Sequence, residues 1–437
     1  MISGVIAIVG RPNVGKSSIF NRLIGEKQAI VDSSPGVTRD RIYGKGEWLT
    51  KEYRVIDTGG IQLKEQTFQK EIRAQVDISI EEADVILFVV NGQEGKTSDD
   101  RYVARLLQKA NKPVLLVVNK IDNQALLANT YEFYGLGCGE PLAVSATHGI
   151  GFGDLLDTVL TKFPTTPQDD YQGMVRFAII GRPNVGKSSL VNAILQEERV
   201  IVSEQSGTTR DAIDSVFERD DQQYVIVDTA GIRKRGRIYE NIEKYAVIRA
   251  MTAIEKADVI LMVLDGDSGI VEQDKHVAGY AVEAGKGIII VYNKWDLVEK
   301  DDKTMDNITK QIRKEFVYLT YAPLVFVSAV KGSRLPQLLS LVKEVYQQTQ
   351  KRISTSILNE VIMDAQIMTP PPTHQGKRLK IYYCSQVSIN PTIIVLFVND
   401  PELLHFSYRR YLENRLREAF EFKGVPIKII ARLKEKL

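Results

Sequence analysis

The nine residues GRPNVGKSS stand at 10–18 and return unchanged at 181–189. Each copy fits G-x-x-x-x-G-K-[ST] and directly follows a short apolar run, VIAIV before Gly10 and VRFAII before Gly181. After a strand, that spacing has a specific chemistry. The glycines let backbone N–H groups turn inward on phosphate oxygens, and the helix that follows adds its N-terminal dipole. The first cradle is Gly10, Arg11, Pro12, Asn13, Val14 and Gly15. Lys16 then places a point charge near β- and γ-phosphates, and Ser17 offers a hydroxyl to Mg²⁺ ahead of Ser18. Gly181, Arg182, Pro183, Asn184, Val185, Gly186, Lys187, Ser188 and Ser189 repeat the set. A single match could be an ordinary glycine turn; two identical ones, each after a strand, are not.

The loop says nucleotide without saying which. Asn119, Lys120 and Asp122 form N-K-x-D, as do Asn293, Lys294 and Asp296. A carboxylate at the last position can accept from the N1–H and 2-amino group of guanine, and adenine has no such donors. Sites built on hydrogen bonds of this kind reject analogues that lack them, so GTP is expected over ATP. Ser145-Ala146 and Ser328-Ala329 suit a turn whose backbone meets the guanine O6. Asp57, Thr58, Gly59 and Gly60 form D-x-x-G, answered by Asp228, Thr229, Ala230 and Gly231. The aspartate can hold Mg²⁺, directly or through water, and the last glycine N–H can sense a γ-phosphate. Thr38 and Thr209 are candidates for a second hydroxyl on Mg²⁺. Loss of the γ-phosphate would release both segments, an order–disorder switch. Lys16, Thr38 and Gly60, with Lys187, Thr209 and Gly231, are the expected catalytic groups.

Six blocks recur in one order. Thr38 and Thr209, like the two D-x-x-G motifs, are 171 residues apart, and EEADVILFVVNG (81–92) matches EKADVILMVLDG (255–266). This is a duplicated domain. Its short runs, such as VILFVVNG and PVLLVVNK, are apolar on both faces and end in turn residues, as buried parallel strands do. Helix-like stretches such as DDRYVARLLQKAN (99–111) alternate with them. The expected fold is α/β: two tandem P-loop domains with doubly wound, mostly parallel sheets, then a small α+β domain. Ligands in such sheets bind beyond the carboxyl ends of the strands, where every repeated block falls. The expected boundaries are 1–163, a polar linker at 164–173, 174–350, and 351–437. In the last segment the elements read α-β-β-α-β: a helix near 356–365, strands at 379–388 and 392–399, a helix striped by Leu404, Tyr408, Tyr411, Leu412, Leu416 and Phe420, and a strand at 425–433.

Composition is that of an ordinary globular chain, 44% hydrophobic and 26% charged over 437 residues. Cys138 and Cys384 form no C-x-x-C pair, which argues against a disulfide framework or zinc site and for a reducing compartment. No run reaches the ~18 apolar residues of a membrane span, so a cytoplasmic location is expected. The net charge of +2 is uneven: residues 351–437 hold 14 Lys and Arg against 8 Asp and Glu. Such a basic tail suits nucleic acid, but solvated helix faces are also rich in Lys and Arg. His148, His276, His374 and His405 are scattered without metal spacing.

The repeated blocks resemble the G1 to G5 motifs of translation-factor-class GTPases. Two copies followed by a small α+β domain resemble the bacterial EngA/Der family, the double-Era-like GTPases, over essentially the whole chain. The resemblance implies a KH-like C-terminal domain, hydrolysis of GTP to GDP and phosphate, Mg²⁺ dependence, and a switch role in assembling the large (50S) ribosomal subunit on its rRNA. A monomer is expected. Ras-like enzymes place a water-orienting Gln directly after D-x-x-G; here Ile61 and Ile232 stand there, so the intrinsic rate should be slow. Related GTPases bind potassium through a P-loop Asn, and Asn13 and Asn184 match it, so K⁺ stimulation is expected. The missing Gln also leaves open a ribosome-binding scaffold in which hydrolysis is incidental. After the second D-x-x-G lies RKRGR (233–237), against QLKEQ (62–66) in the first copy. It is either a solvated loop or a basic patch that the nucleotide presents to RNA or to the C-terminal domain. No GXXG loop, the usual KH clamp on RNA, occurs in the C-terminal segment. Arg409, Arg410, Arg415 and Arg417 either contact phosphates there, solvate one helix face, or pack on a P-loop domain.

Overall fold

A computed structural model describes residues 2–25, 43–58, 68–164, 171, 173–197, 199–200, 214–229, 243–374 and 377–434. The chain divides into two compact units. The first sheet lies in one, and the second sheet and the C-terminal sheet lie together in the other.

The first sheet contains β1 (Ile2–Val9), β2 (Tyr43–Trp48), β3 (Lys51–Asp57), β4 (Val85–Asn91), β5 (Val114–Asn119) and β6 (Leu142–Ala143), in the order β2-β3-β1-β4-β5-β6. All pairings are parallel except the β2–β3 hairpin. Every residue of β4 is buried, because apolar side chains leave both faces of the strand and meet helices on either side. Those helices are α1 (Lys16–Ile24), α2 (Phe68–Glu82), α3 (Ser98–Leu107) and α4 (Phe152–Lys162). The helix expected over 99–111 stops sooner, with Gln108 as its C-cap. Strand order reverses between β1 and β3. The loops leaving their carboxyl ends, residue 10 onward and Asp57-Thr58, therefore open on one crevice.

The second sheet repeats this plan with an extra edge strand. It comprises β7 (Val175–Ile180), β8 (Arg199–Val200), β9 (Ser215–Arg219), β10 (Gln222–Val227), β11 (Val259–Asp265), β12 (Gly287–Asn293) and β13 (Leu324–Phe326), ordered β13-β12-β11-β7-β10-β9-β8. Its helices are α5 (Lys187–Glu197), α6 (Glu243–Lys256), α7 (Glu272–Glu283), α8 (Thr304–Glu315) and α9 (Leu335–Thr349).

The C-terminal elements follow the α-β-β-α-β order, with a two-residue hairpin (373–374 and 377–378) inserted after the first helix. They are α10 (Thr355–Met368), β16 (Ile381–Ser388), β17 (Thr392–Val398), α11 (Phe406–Phe420) and β18 (Ile427–Leu433), the hairpin strands counting as β14 and β15. β17 is central, antiparallel to β16 and parallel to β18. The stripe read along α11 is the one that packs: Tyr408, Leu412 and Leu416 are buried in one cluster with Leu358 and Ile362 of α10. The turn leaving α11 joins this domain to the second sheet. Gly424 accepts from Ile288 N (2.7 Å) and donates to Tyr321 O (3.0 Å). The Arg417 guanidinium lies 4.1 Å from the Tyr321 ring centroid, and Lys423 pairs with Glu344 at 2.8 Å.

Candidate nucleotide sites

Lys16 is almost wholly buried (8% exposed) although no element of the fold needs a lysine there. Its ammonium donates to Gly10 O (2.7 Å) and Arg11 O (2.8 Å), so it rests on the loop whose phosphate it would bind. Burial pulls its pKa down to about 8 against the partial support of Asp57. Lys187 does the same with Gly181 O (2.8 Å) and Arg182 O (2.7 Å), and burial lowers it to about 8 as well. A desolvated cation waiting on carbonyl dipoles gains most when an anion arrives.

The glycine after Val14 is required twice over. Gly15 has φ +92° and Gly186 φ +95°, a backbone region that side chains disfavour. A Cβ there would also stand 2.3 Å from the Nδ2 of Asn119 or Asn293. Those asparagines are braces. Asn119 donates to Val14 O (2.9 Å) and accepts from Ala146 N (3.1 Å), tying the P-loop to the Ser145-Ala146 turn. Asn293 does likewise with Val185 O (2.9 Å) and Ala329 N (3.1 Å). Lys120 and Lys294 follow in left-handed backbone, φ 67° and 61°.

The N-K-x-D carboxylates expected to read the base are oriented by the serines of those turns. Ser145 Oγ donates to Asp122 Oδ1 at 2.6 Å, and Ser328 Oγ donates to Asp296 Oδ1 at 2.5 Å. The Ser328 bond holds Asp296 below the ordinary carboxylate range. In the first site Gln93 Nε2 also donates to Asp122 Oδ2 (3.1 Å).

Ser17 Oγ donates to Asp57 Oδ2 at 2.9 Å. A hydroxyl beside a buried carboxylate is an all-oxygen donor pair that fits Mg²⁺. Asp228 differs from Asp57: its backbone is left-handed (φ 60°), and its N–H donates to Asp214 Oδ1 at 2.8 Å. Thr58 Oγ1 donates to Ile8 O, which pins the end of β3 against β1. Thr229 Oγ1 lies 2.9 Å from Ser215 Oγ. Asn13 and Asn184 are both exposed and left-handed (φ 65° and 66°). Ser18 and Ser189 are exposed on the first turns of α1 and α5. Thr38, Gly59, Gly60, Thr209, Ala230, Gly231 and the RKRGR segment lie outside the described residues.

Sequence reasoning missed a pair of aspartates. Asp100, at the start of α3, and Asp274, at the start of α7, are wholly buried, and each faces a P-loop arginine rather than the pocket. Arg11 Nε lies 3.4 Å from Asp100 Oδ1, and Arg182 Nε lies 3.4 Å from Asp274 Oδ2. The signal was present: Asp100 and Asp274 are 174 residues apart, as are the N-K-x-D motifs.

A doubly wound sheet whose P-loop, loop-parked lysine and serine-braced N-K-x-D aspartate lie beyond the carboxyl ends of its strands defines a P-loop GTPase, and the chain holds two. The family described as "50S ribosome-binding GTPase" matches residues 5–120 and 176–294, and "KH-domain-like of EngA bacterial GTPase enzymes, C-terminal" matches 352–432. The GTPase Der of Halalkalibacterium halodurans is 59% identical over 99% of this chain and 100% of its own length. That of Staphylococcus carnosus is 57% identical over 99% of each. Among solved structures, the FeoB G-domain from Methanococcus jannaschii is 25% identical over 37% of this chain and 98% of its own, with a TM-score of 0.29. The chain belongs to the GTPase Der (EngA) family.

Proposed function

We propose that the protein is a switch in assembly of the large (50S) ribosomal subunit, hydrolysing GTP to GDP and phosphate and binding ribosomal RNA according to nucleotide state. The observation that carries this is the second copy. Both pockets keep the parked lysine, the asparagine brace and the serine-oriented aspartate at nearly equal distances, and both P-loops and both brace asparagines fall within the match to a ribosome-binding GTPase family.

In this reading Lys16 and Lys187 neutralise charge on the β- and γ-phosphates. Gly10–Ser18 and Gly181–Ser189 cradle them, and Asp122 and Asp296 select guanine. Ser17, Thr38 and Asp57, with Ser188, Thr209 and Asp228, are the Mg²⁺-binding groups; the ion, when bound, supplies charge stabilisation at the phosphates. Gly60 and Gly231 sense the γ-phosphate. Asn13 and Asn184 recruit K⁺, which compensates for Ile61 and Ile232 where a water-orienting Gln would stand. Domain limits at 1–163, 174–350 and 351–437 complete the proposal.

Single-turnover hydrolysis with and without purified 50S subunits, in KCl and in NaCl, tests it. The switch reading expects faster turnover with subunits and in potassium. Equal rates in all four conditions would leave a scaffold that merely holds GTP.

A further inference from the structure

We infer that Asp100 and Asp274 are positioning residues for nucleotide binding: each holds the P-loop arginine, Arg11 or Arg182, and so fixes the first turn of the loop in its phosphate-receiving shape. The arginine directly follows the first glycine of the loop, and its own carbonyl is one of the two on which the lysine rests. Gly10 is pinned already, because a Cβ there would stand 2.3 Å from Val89 O at the end of β4. The guanidinium supplies the second anchor. Arg11 reaches Asp100 at 3.4 Å and also donates to Glu94. Arg182 reaches Asp274 at 3.4 Å and donates to Ser268 Oγ (2.6 Å) and Gly269 O (3.0 Å). Both arginines are mostly covered, at 12% and 16% side-chain exposure, and both aspartates are fully so. A charge so enclosed depends on its partner.

Helix capping alone does not explain the aspartates. In the first copy Asp100 Oδ2 accepts from Thr97 N (3.0 Å) and Thr97 Oγ1 (2.8 Å), and Thr97 Oγ1 in turn accepts from Asp100 N, a complete capping box. In the second copy the cap position is Val271, which has no side-chain acceptor. Asp274 still accepts from Val271 N (3.0 Å) and still faces Arg182. The reciprocal half of the box is gone; the half that pairs with the arginine remains.

Full-length Asp100→Asn, which keeps an oxygen for Thr97 but loses the charge, is compared with Arg11→Met and with the double variant by dissociation of a fluorescent GDP analogue. In either single variant, nucleotide at the first site should leave about ten- to a hundredfold faster, while the second site keeps its original rate. Asp274→Asn should show the converse. The Arg11→Met/Asp100→Asn double should be no faster than either single, and KM for GTP should rise with kcat within about twofold. A purely structural cap would instead give effects that multiply in the double variant. Dissociation within about twofold of the unsubstituted protein in both singles, or a multiplicative double, overturns the inference. If either single variant fails to fold, the double variant, which leaves neither charge buried without its partner, still decides it: dissociation at the first site within about twofold of the unsubstituted protein overturns the inference.

Discussion

Gly15 and Gly186 are the residues where sequence choice is most sharply dictated. Each combines left-handed backbone with a neighbour 2.3 Å from where a Cβ would sit. Left-handed backbone alone costs a side chain about 1–2 kcal/mol, and the clash falls on the asparagine that braces the Ser-Ala turn. Gly15→Ala should therefore weaken guanine nucleotide at the first site by more than about tenfold, and Gly186→Ala should do so at the second. Calorimetry resolving two sites checks both. The lysines add a pH dependence. With Lys16 and Lys187 at about pKa 8 in the folded protein against the ordinary 10.5, the unfolded chain binds more protons between those values. The cost of burying the two charges is therefore full below pH 8 and is relieved as pH rises toward 10.5. Phosphate favours the ammonium, so binding above pH 8 must take up a proton. Affinity should fall about fivefold between pH 8 and 9 at each site. Titrations in two buffers of different ionisation enthalpy should show uptake approaching one proton per nucleotide; no uptake would mean the lysines are charged throughout.

At the scale of elements, the apolar runs that end in motifs are the strands, and the stripe on α11 is its buried face. Both were legible because a parallel strand covered on two faces, and a helix covered on one, leave unmistakable patterns. The braces were not legible. Asn119 reads as part of a base-recognition motif, yet its side chain spends both hydrogen-bonding ends on the P-loop and the Ser145-Ala146 turn, a contact between loops over 100 residues apart. Arg417 shows the same limit. Its charge left open whether it met phosphate, solvent or a P-loop domain, and it packs on Tyr321 while donating to Phe422 O and Val425 O. Its neighbour Gly424 sits at φ +75° with Val345 2.7 Å from its missing Cβ and Ile288 O at 3.2 Å. Gly424→Val should destabilise this junction by about 2–4 kcal/mol. Denaturant unfolding, with hydrogen exchange at Ile288 as the local probe, should register the loss; unchanged protection there would contradict the described packing.

Over the whole molecule, duplication made the fold and most of the pockets readable, since each block vouched for its counterpart. Differences between the copies were the harder part. Asp228 has turned into left-handed backbone, its N–H donating to Asp214, and Asp57 has not, a divergence that D-x-x-G spelled in both places does not reveal. This difference predicts unequal duties for the two sites. Lys16→Ala and Lys187→Ala should each deplete mature 50S subunits in cells, to different extents, as sucrose-gradient profiles would record. Identical, normal profiles would remove the assembly role while leaving the GTPase intact.

Two guanine-reading pockets in one chain is the claim on which all else stands, and calorimetric titration of the nucleotide-free, full-length protein with GTP and, separately, with ATP tests it most directly. Two moles of GTP should bind per mole of chain, with ATP weaker by at least about a thousandfold at both sites. A stoichiometry of one or none, or ATP bound as tightly as GTP, would contradict it.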